Sequence, residues 1–348
     1  MLKRLRWILE FSTVYLLYSS VRLMPWSLMR ATAWLMGWLM SLLPAAQKLV
    51  RANIHAAMPE LPESEVARIA RSSFDHLMWN LLEYVWCVRN AKRIRRCCCV
   101  EENTRQIFQT AARKKEQVIF VNPHLGSWEI SGLMTPFYTG LQLAAIAKPM
   151  KNPYLNVLLN SGSRESVPGI KVIFSKGAMR ASLKALREGW SIGTLIDQNT
   201  RVRDGGVFVN FFGLPVPSST APATLKSFCD QKGIPCQIYL ACTLRNSDGK
   251  LVGEAWPLEK SFDRYASHTE ILQELMARSE KLIRENPEQY LWMYRRFQYI
   301  SDKATPEQLK RYPWYATRPG GNFFRKTFRK KTDTGNNGKT GAQNHPSR

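Results

Sequence analysis

Apolar residues change their spacing several times along the chain, and each spacing predicts a different element. From Trp7 to Met24 and again from Trp26 to Leu43 they are nearly continuous, in WILEFSTVYLLYSSVRLM and WSLMRATAWLMGWLMSLL, with Pro25 between. From Glu65 to Val88 they recur at helical intervals, at Val66, Ile69, Phe74, Leu77, Met78, Leu81, Leu82 and Val85, which predicts an amphipathic helix. EENTRQIFQTAARKK (Glu101 to Lys115) begins acidic and ends basic, as a helix dipole favours. The short runs QVIFVN, IKVIF, SIGTLID and PCQIYLACTL read as buried strands. Between IKVIF and SIGTLID lies AMRASLKALREG, a helix carrying Met179, Leu183 and Leu186 and stopped by Gly189. A further long helix covers about Thr269 to Arg284.

Strands alternating with helices predict an α/β fold, a single domain with a mostly parallel central sheet flanked by helices. A hydrophobic, membrane-associated helical segment precedes it. The expected division is 1–45 for membrane anchor or interfacial helices, 46–316 for the α/β domain, and 317–348 for a disordered basic tail carrying Arg325, Lys326, Arg329, Lys330 and Lys331. Each N-terminal stretch is close to the length that spans a bilayer, although Glu10, Arg22 and Arg30 interrupt them. Trp7, Trp26, Trp34 and Trp38 favour the water–lipid boundary, and no convincing small-residue cleavage site follows. The reading is an uncleaved anchor, one transmembrane helix, or an interfacial hairpin, with its basic flank (Lys3, Arg4, Arg6) cytoplasmic. The alternative is a buried helical layer of a soluble domain.

Charge narrows the partners. Across 348 residues, 50 Lys and Arg oppose 27 Asp and Glu, a formal net charge of +23, which calls for an anionic partner. Basic and aromatic residues are not interleaved in one compact patch, and the aromatics crowd at the front, so anionic membrane lipid is favoured over nucleic acid. A non-enzymatic basic membrane-binding protein stays open as a reading from charge alone. Seven cysteines without a C-x-x-C predict reduced thiols, with Cys97, Cys98 and Cys99 as small residues before a helix. The five histidines lack metal-ligand spacing, so neither metal nor cofactor is expected.

The chemistry concentrates in VNPHLGSWEISG, directly after QVIFVN. In one continuous helix His124 and Glu129 would lie about 140° apart around the axis. A turn at Gly126, with Pro123 stiffening the exit and Ser127 as N-cap of a helix from Trp128, would instead bring them together. Ligand sites in open parallel sheets lie beyond the carboxyl ends of strands, where His124 falls. An imidazole beside a carboxylate is a general base for a hydroxyl. Asp197 and Gln198, at the end of another strand, are candidates to line the same cleft, or Asp197 caps the loop that follows. Phe211, Phe212 and Gly213 are either a wall for an apolar ligand or core.

These residues carry a resemblance. NPHLGSWE resembles the H-x4-D/E motif of the lysophospholipid acyltransferase superfamily, and more closely its lipid A biosynthesis branch, the late lauroyl and myristoyl acyltransferases. The similarity continues in RANIHAAMPELPESEVARIARSSFDHL, in KNPYLNVLLNSGSRES with Arg164, in ALREGWSIGTLIDQNTRVRDGGVFVNFFGLPVPSSTAPATL and in NPEQYLWMYRRFQ. Departures are Asn122 and Pro123, where relatives often have Gly, and Tyr294, where His is frequent.

The resemblance implies direct transfer of a fatty acyl chain from acyl carrier protein, or another acyl thioester, to a hydroxyl of a lipid A precursor at the cytoplasmic face of the inner membrane. His124 would be the base, Glu129 its orienting carboxylate, and Arg164 the positive charge near the tetrahedral oxyanion. Asp197, Gln198, Phe211, Phe212 and Gly213 would contact substrate. Arg201, Arg203, Arg295 and Arg296 would meet an acidic carrier protein or phosphates. An acceptor of another kind, a glycolipid such as a phosphatidylinositol mannoside or an aminolipid, is the alternative.

Overall fold

The computed structural model describes residues 2–324. Helices α1 (Leu2–Leu23), α2 (Trp26–Ser41), α3 (Pro44–Ala57), α4 (Glu63–Cys87) and α5 (Ala91–Cys97) lead into strand β1 (Cys98–Val100) and α6 (Glu102–Lys114). Then come β2 (Gln117–Asn122), α7 (Trp128–Thr139), β3 (Leu143–Ala147), the single turn α8 (Pro153–Asn156), β4 (Ile170–Phe174), α9 (Ala178–Arg187) and β5 (Ser191–Leu195). The hairpin β6 (Gly206–Phe211) and β7 (Leu214–Ser219) precedes α10 (Ala221–Gln231), β8 (Cys236–Arg245), β9 (Leu251–Pro257), α11 (His268–Glu285), α12 (Pro306–Arg311) and α13 (Gly321–Phe324).

Seven strands form one sheet in the order β1-β9-β8-β2-β5-β3-β4. The five from β8 to β4 run parallel, and β9 turns back antiparallel on β8. The expected α/β domain with a mostly parallel sheet is therefore present. Along β2 the side chains alternate: Ile119 and Val121 join a core with Leu186, Ala223 and Leu225 from α9 and α10, whereas Val118 and Phe120 join Phe108 of α6 on the other face. Burial on both faces is why the strand is continuously apolar from Val118 to Val121, between Gln117 and Asn122.

The front of the chain corrects one expectation. Among the described residues no helix is long and apolar enough to cross a membrane. The reason is local: α1 carries Lys3, Arg4, Arg6, Glu10 and Arg22, and α2, cut off by Pro25, has 16 residues. Instead α2 lies on α4, burying Met29, Ala33 and Gly37. At Gly37 a Cβ would meet the Asp75 backbone nitrogen at 2.9 Å, so glycine sets how closely the two helices cross. The opposite faces of α1 and α2 leave Leu9, Leu16, Leu28, Trp34, Leu35 and Leu39 exposed.

Two other expectations move. The cysteine run does precede a helix, α6, but it also ends α5 at Cys97 and opens the edge strand β1 at Cys98 and Cys99. The body also continues past 316: Thr317 bridges Tyr299, and the buried Phe323 packs on Tyr299 and Phe208. The remaining tail, which includes Arg325, Lys326, Arg329, Lys330 and Lys331, lies outside the described residues.

Candidate active site

The loop between β2 and α7 is held from several sides. Gly126 has φ of 62°, and a Cβ there would lie 2.0 Å from the Thr243 carbonyl oxygen, which excludes any other residue. Its N–H donates to the carbonyl of Gln289 (3.0 Å), and its own carbonyl accepts from the Asn80 side-chain amide (2.5 Å). The Leu291 N–H donates to the His124 carbonyl at 3.0 Å. Gln289 in turn exchanges two side-chain hydrogen bonds with the Arg245 backbone, both 2.9 Å. The PEQYLW segment is thus a clamp on the loop that carries His124. Helix α7 does begin at Trp128, but the buried Ser127 hydroxyl makes no hydrogen bond among the described residues, so the expected side-chain cap is missing.

Below the clamp, α4 braces the same loop with a charge. The fully buried Glu83 pairs with Arg245, whose guanidinium sits 3.7 Å from the Trp79 ring centroid. Burial pushes the Glu83 carboxyl up to about 7 against the pull of Arg245. Removing one member of such a buried pair leaves an uncompensated charge and costs about 3–5 kcal/mol.

His124 receives its carboxylate from the neighbouring strand. Asn122 of β2 is in register with Leu195 of β5, so His124 and Asp197, each two residues further on, leave the sheet side by side. Nδ1 of His124 lies 2.6 Å from Oδ1 of Asp197, and the His124 N–H donates to Oδ2 at 2.9 Å. Both side chains are buried, Asp197 almost completely. Burial by itself would raise the Asp197 carboxyl; the His124 charge, the hydrogen bonds from His124 and the Arg296 guanidinium hold it below the ordinary carboxylate value. A carboxylate at Nδ1 fixes the tautomer with its proton there, leaving Nε2 as acceptor toward the Gln198 amide, 3.0 Å away. The Trp128 ring packs edge-on against the imidazole, 5.0 Å between centroids.

Glu129 goes elsewhere. Its position in the first turn of α7 carries it to Arg164, which donates through Nε (3.1 Å) and Nη2 (2.5 Å) and through Nη1 to Asn160 (2.6 Å). Burial opposes the Arg164 charge, but the Glu129 carboxylate outweighs it and raises the Arg164 pKa. The hydrogen bond expected between Glu129 and His124 is thus made by Asp197 instead, because strand register places a carboxylate closer than the helix turn does.

His124, Trp128, Glu129, Arg164 and Gln198 open on one cavity of about 550 Å³, whereas Asp197, expected to line the same cleft, is buried and is not part of its lining. The cavity continues between α7 and the sheet over Phe120, Ala145 and Gly193, and reaches Leu143. Gly193 stands between Phe120 and Ala145 in register, so the middle of the groove has a floor of small residues on one side. Phe211, Phe212 and Gly213 are not among its lining; both rings are buried in the core near Tyr290, Trp292 and Phe297. Arg296 is buried as well, bonded to Asn199 (2.8 Å) and the Pro217 carbonyl (3.0 Å), and is no surface cation. Sequence reasoning missed Asn80, Tyr84 and Gln289, whose roles rest on packing between distant segments.

A buried imidazole with a carboxylate at Nδ1, facing an elongated and partly apolar cavity, suits proton removal from a hydroxyl beside a long-chain substrate. The family model for bacterial lipid A biosynthesis acyltransferases matches residues 2–299. The chain is also 25% identical over 300 residues to a protein of Haemophilus influenzae named lipid A biosynthesis acyltransferase, an alignment covering 83% of this chain and 90% of that one. With the match running through every element that builds the cavity, the chain belongs to the bacterial lipid A biosynthesis acyltransferase family.

Proposed function

We propose that this acyltransferase moves a fatty acyl chain from acyl carrier protein, or another acyl thioester, to a hydroxyl of a lipid A precursor, with His124 as general base. The observation that carries the reading is the Asp197–His124 pair at the end of the groove under α7. The acceptor hydroxyl takes the place of the Gln198 amide at Nε2 and gives up its proton there. Its oxygen attacks the thioester carbonyl, forming a tetrahedral oxyanion. Collapse breaks the carbon–sulfur bond, and the departing thiolate takes the proton from Nε2. Asp197 steadies the imidazolium while it exists, as a buried carboxylate at Nδ1 does.

Arg164 supplies positive charge in the cavity wall near the developing oxyanion, and Glu129 holds that guanidinium in place. The acyl chain lies in the groove over Ala145 and Gly193 toward Leu143. The formal net charge of +23 favours an acidic carrier protein as donor and anionic lipid as support. The exposed leucines and tryptophans of α1 and α2 rest in the membrane interface on its cytoplasmic side, lying on the bilayer.

Lipid mass spectrometry of a strain lacking the protein tests the acceptor. Loss of one acyl chain from lipid A is expected. Unchanged lipid A with a chain missing from another glycolipid or an aminolipid would overturn the acceptor and leave the transfer chemistry.

A further inference from the structure

We propose that the cleft between the end of α1 and the α4–α5 junction binds the phosphate of an anionic membrane lipid. The cleft holds about 290 Å³ and is lined by Ser19, Arg22, Leu23, Arg89, Asn90 and Arg93. Three guanidinium groups therefore share one hollow with a hydroxyl and an amide, and no carboxylate lines it. Among the described residues none of the three arginines has a salt-bridge partner.

Arg93 is held without being neutralised. Its Nη1 donates to the carbonyls of Arg22 (2.8 Å) and Trp86 (2.9 Å), and its guanidinium lies 4.3 Å from the centroid of the Trp86 ring. Burial lowers the Arg93 pKa, and the Arg22 charge beside it adds to this against an opposing pull from Cys87 and Cys97. Crowded cations without a carboxylate partner are relieved by an anion with several acceptor oxygens, and guanidinium geometry matches phosphate.

The surroundings select a lipid as the carrier of that phosphate. Leu23, at the rim, is 84% exposed, and the unpartnered apolar faces of α1 and α2 continue from it. Lys92, Arg95 and Arg96, all exposed on α5, extend the positive field. Side-chain contacts also link α1 to the wall of the catalytic cavity. Tyr18, one helical turn before Arg22, places its hydroxyl 3.5 Å from Ser163 Oγ, which pairs at 2.9 Å with Tyr84 in the cavity wall. A headgroup in the cleft would seat α1 against the wall of the catalytic cavity at Tyr84. The inference rests on the interfacial reading of α1 and α2.

The test compares the full-length protein with an Arg22→Gln/Arg89→Gln variant and a control, Lys176→Gln/Arg180→Gln, whose side chains are exposed near the start of α9. Binding to vesicles of phosphatidylcholine with and without phosphatidylglycerol is measured by sedimentation. The arginine variant is expected to lose on the order of tenfold or more in affinity for phosphatidylglycerol vesicles, with the control nearly unchanged. Equal losses in both, or no loss in either, would overturn the site in favour of diffuse attraction. In a second arm, thermal unfolding is followed in inorganic phosphate and in chloride at matched ionic strength. Phosphate is expected to raise the midpoint of the parent and the control but not of the arginine variant; the same shift in all three, or none, overturns the cleft. A parent that binds neither vesicle defeats the interfacial reading, and the phosphate arm then decides the cleft alone.

Discussion

Asp197 stands beside His124 because β2 and β5 are adjacent, parallel and in register, so that two residues beyond each strand the chain delivers a carboxylate to an imidazole at 2.6 Å. The geometry assigns Asp197 to Nδ1 and leaves Nε2 facing the Gln198 amide, where the proposed acceptor hydroxyl would bind. Asp197→Asn keeps the shape and loses the charge and the tautomer preference. We expect kcat to fall on the order of 10³–10⁴-fold, with far-UV circular dichroism unchanged. Activity within about tenfold of the parent would remove Asp197 from the reaction.

The Glu129–Arg164 pair predicts a different pattern. If Glu129 acts through Arg164, Glu129→Gln and Arg164→Gln each lower kcat/KM on the order of ten- to a hundredfold. The double variant should then be no worse than the poorer single variant, a coupling of about 1–3 kcal/mol. Strictly additive losses, measured in one assay, would show that the two side chains work separately.

Groove length is set by what fills its far end. A Cβ on Gly193 would stand 3.3 Å from Leu143 Cδ1, so a larger side chain must push into the cavity along the path proposed for the acyl chain. Gly193→Leu is expected to shift transfer toward shorter acyl thioesters, read as relative kcat/KM across a chain-length series. An unchanged profile with retained activity would place the chain elsewhere.

Much of this was legible along the chain, and the gaps have physical causes. QVIFVN, IKVIF and SIGTLID are strands within two residues of expectation, because each is buried on at least one face and bounded by polar or turn residues. LAAIA was missed as β3: three alanines in five residues carry little β signal, and tertiary packing made the strand. His124 was found from its place after a strand. Its partner was misassigned because sequence distance ranks Glu129 ahead of Asp197, whereas the order β2-β5-β3, with β5 inserted between strands earlier in the chain, reverses that ranking. Phe211 and Phe212 show the opposite error, since adjacent aromatics can form a ligand wall but more often are core, as they are here.

Stability should carry a pH signature from His76 on α4. Burial, with the Arg245 charge nearby, lowers its pKa to about 4 from an ordinary 6.5. Above pH 6.5 the ring is neutral whether folded or not. As pH falls from 6.5 toward 4 the unfolded chain takes up the proton and the folded one does not, so stability drops, by about 3 kcal/mol in total. His76→Gln should flatten this part of the denaturation profile. An equally steep loss in the variant would assign it to other groups.

The most direct measurement is transfer of a labelled acyl group from acyl carrier protein thioester to a lipid A precursor by purified His124→Ala protein. With the fold retained, the account predicts that transfer falls to the level without enzyme and that thioester binding persists. Transfer at a rate near that of the parent would contradict it, because the proposed mechanism sends the hydroxyl proton to His124 Nε2.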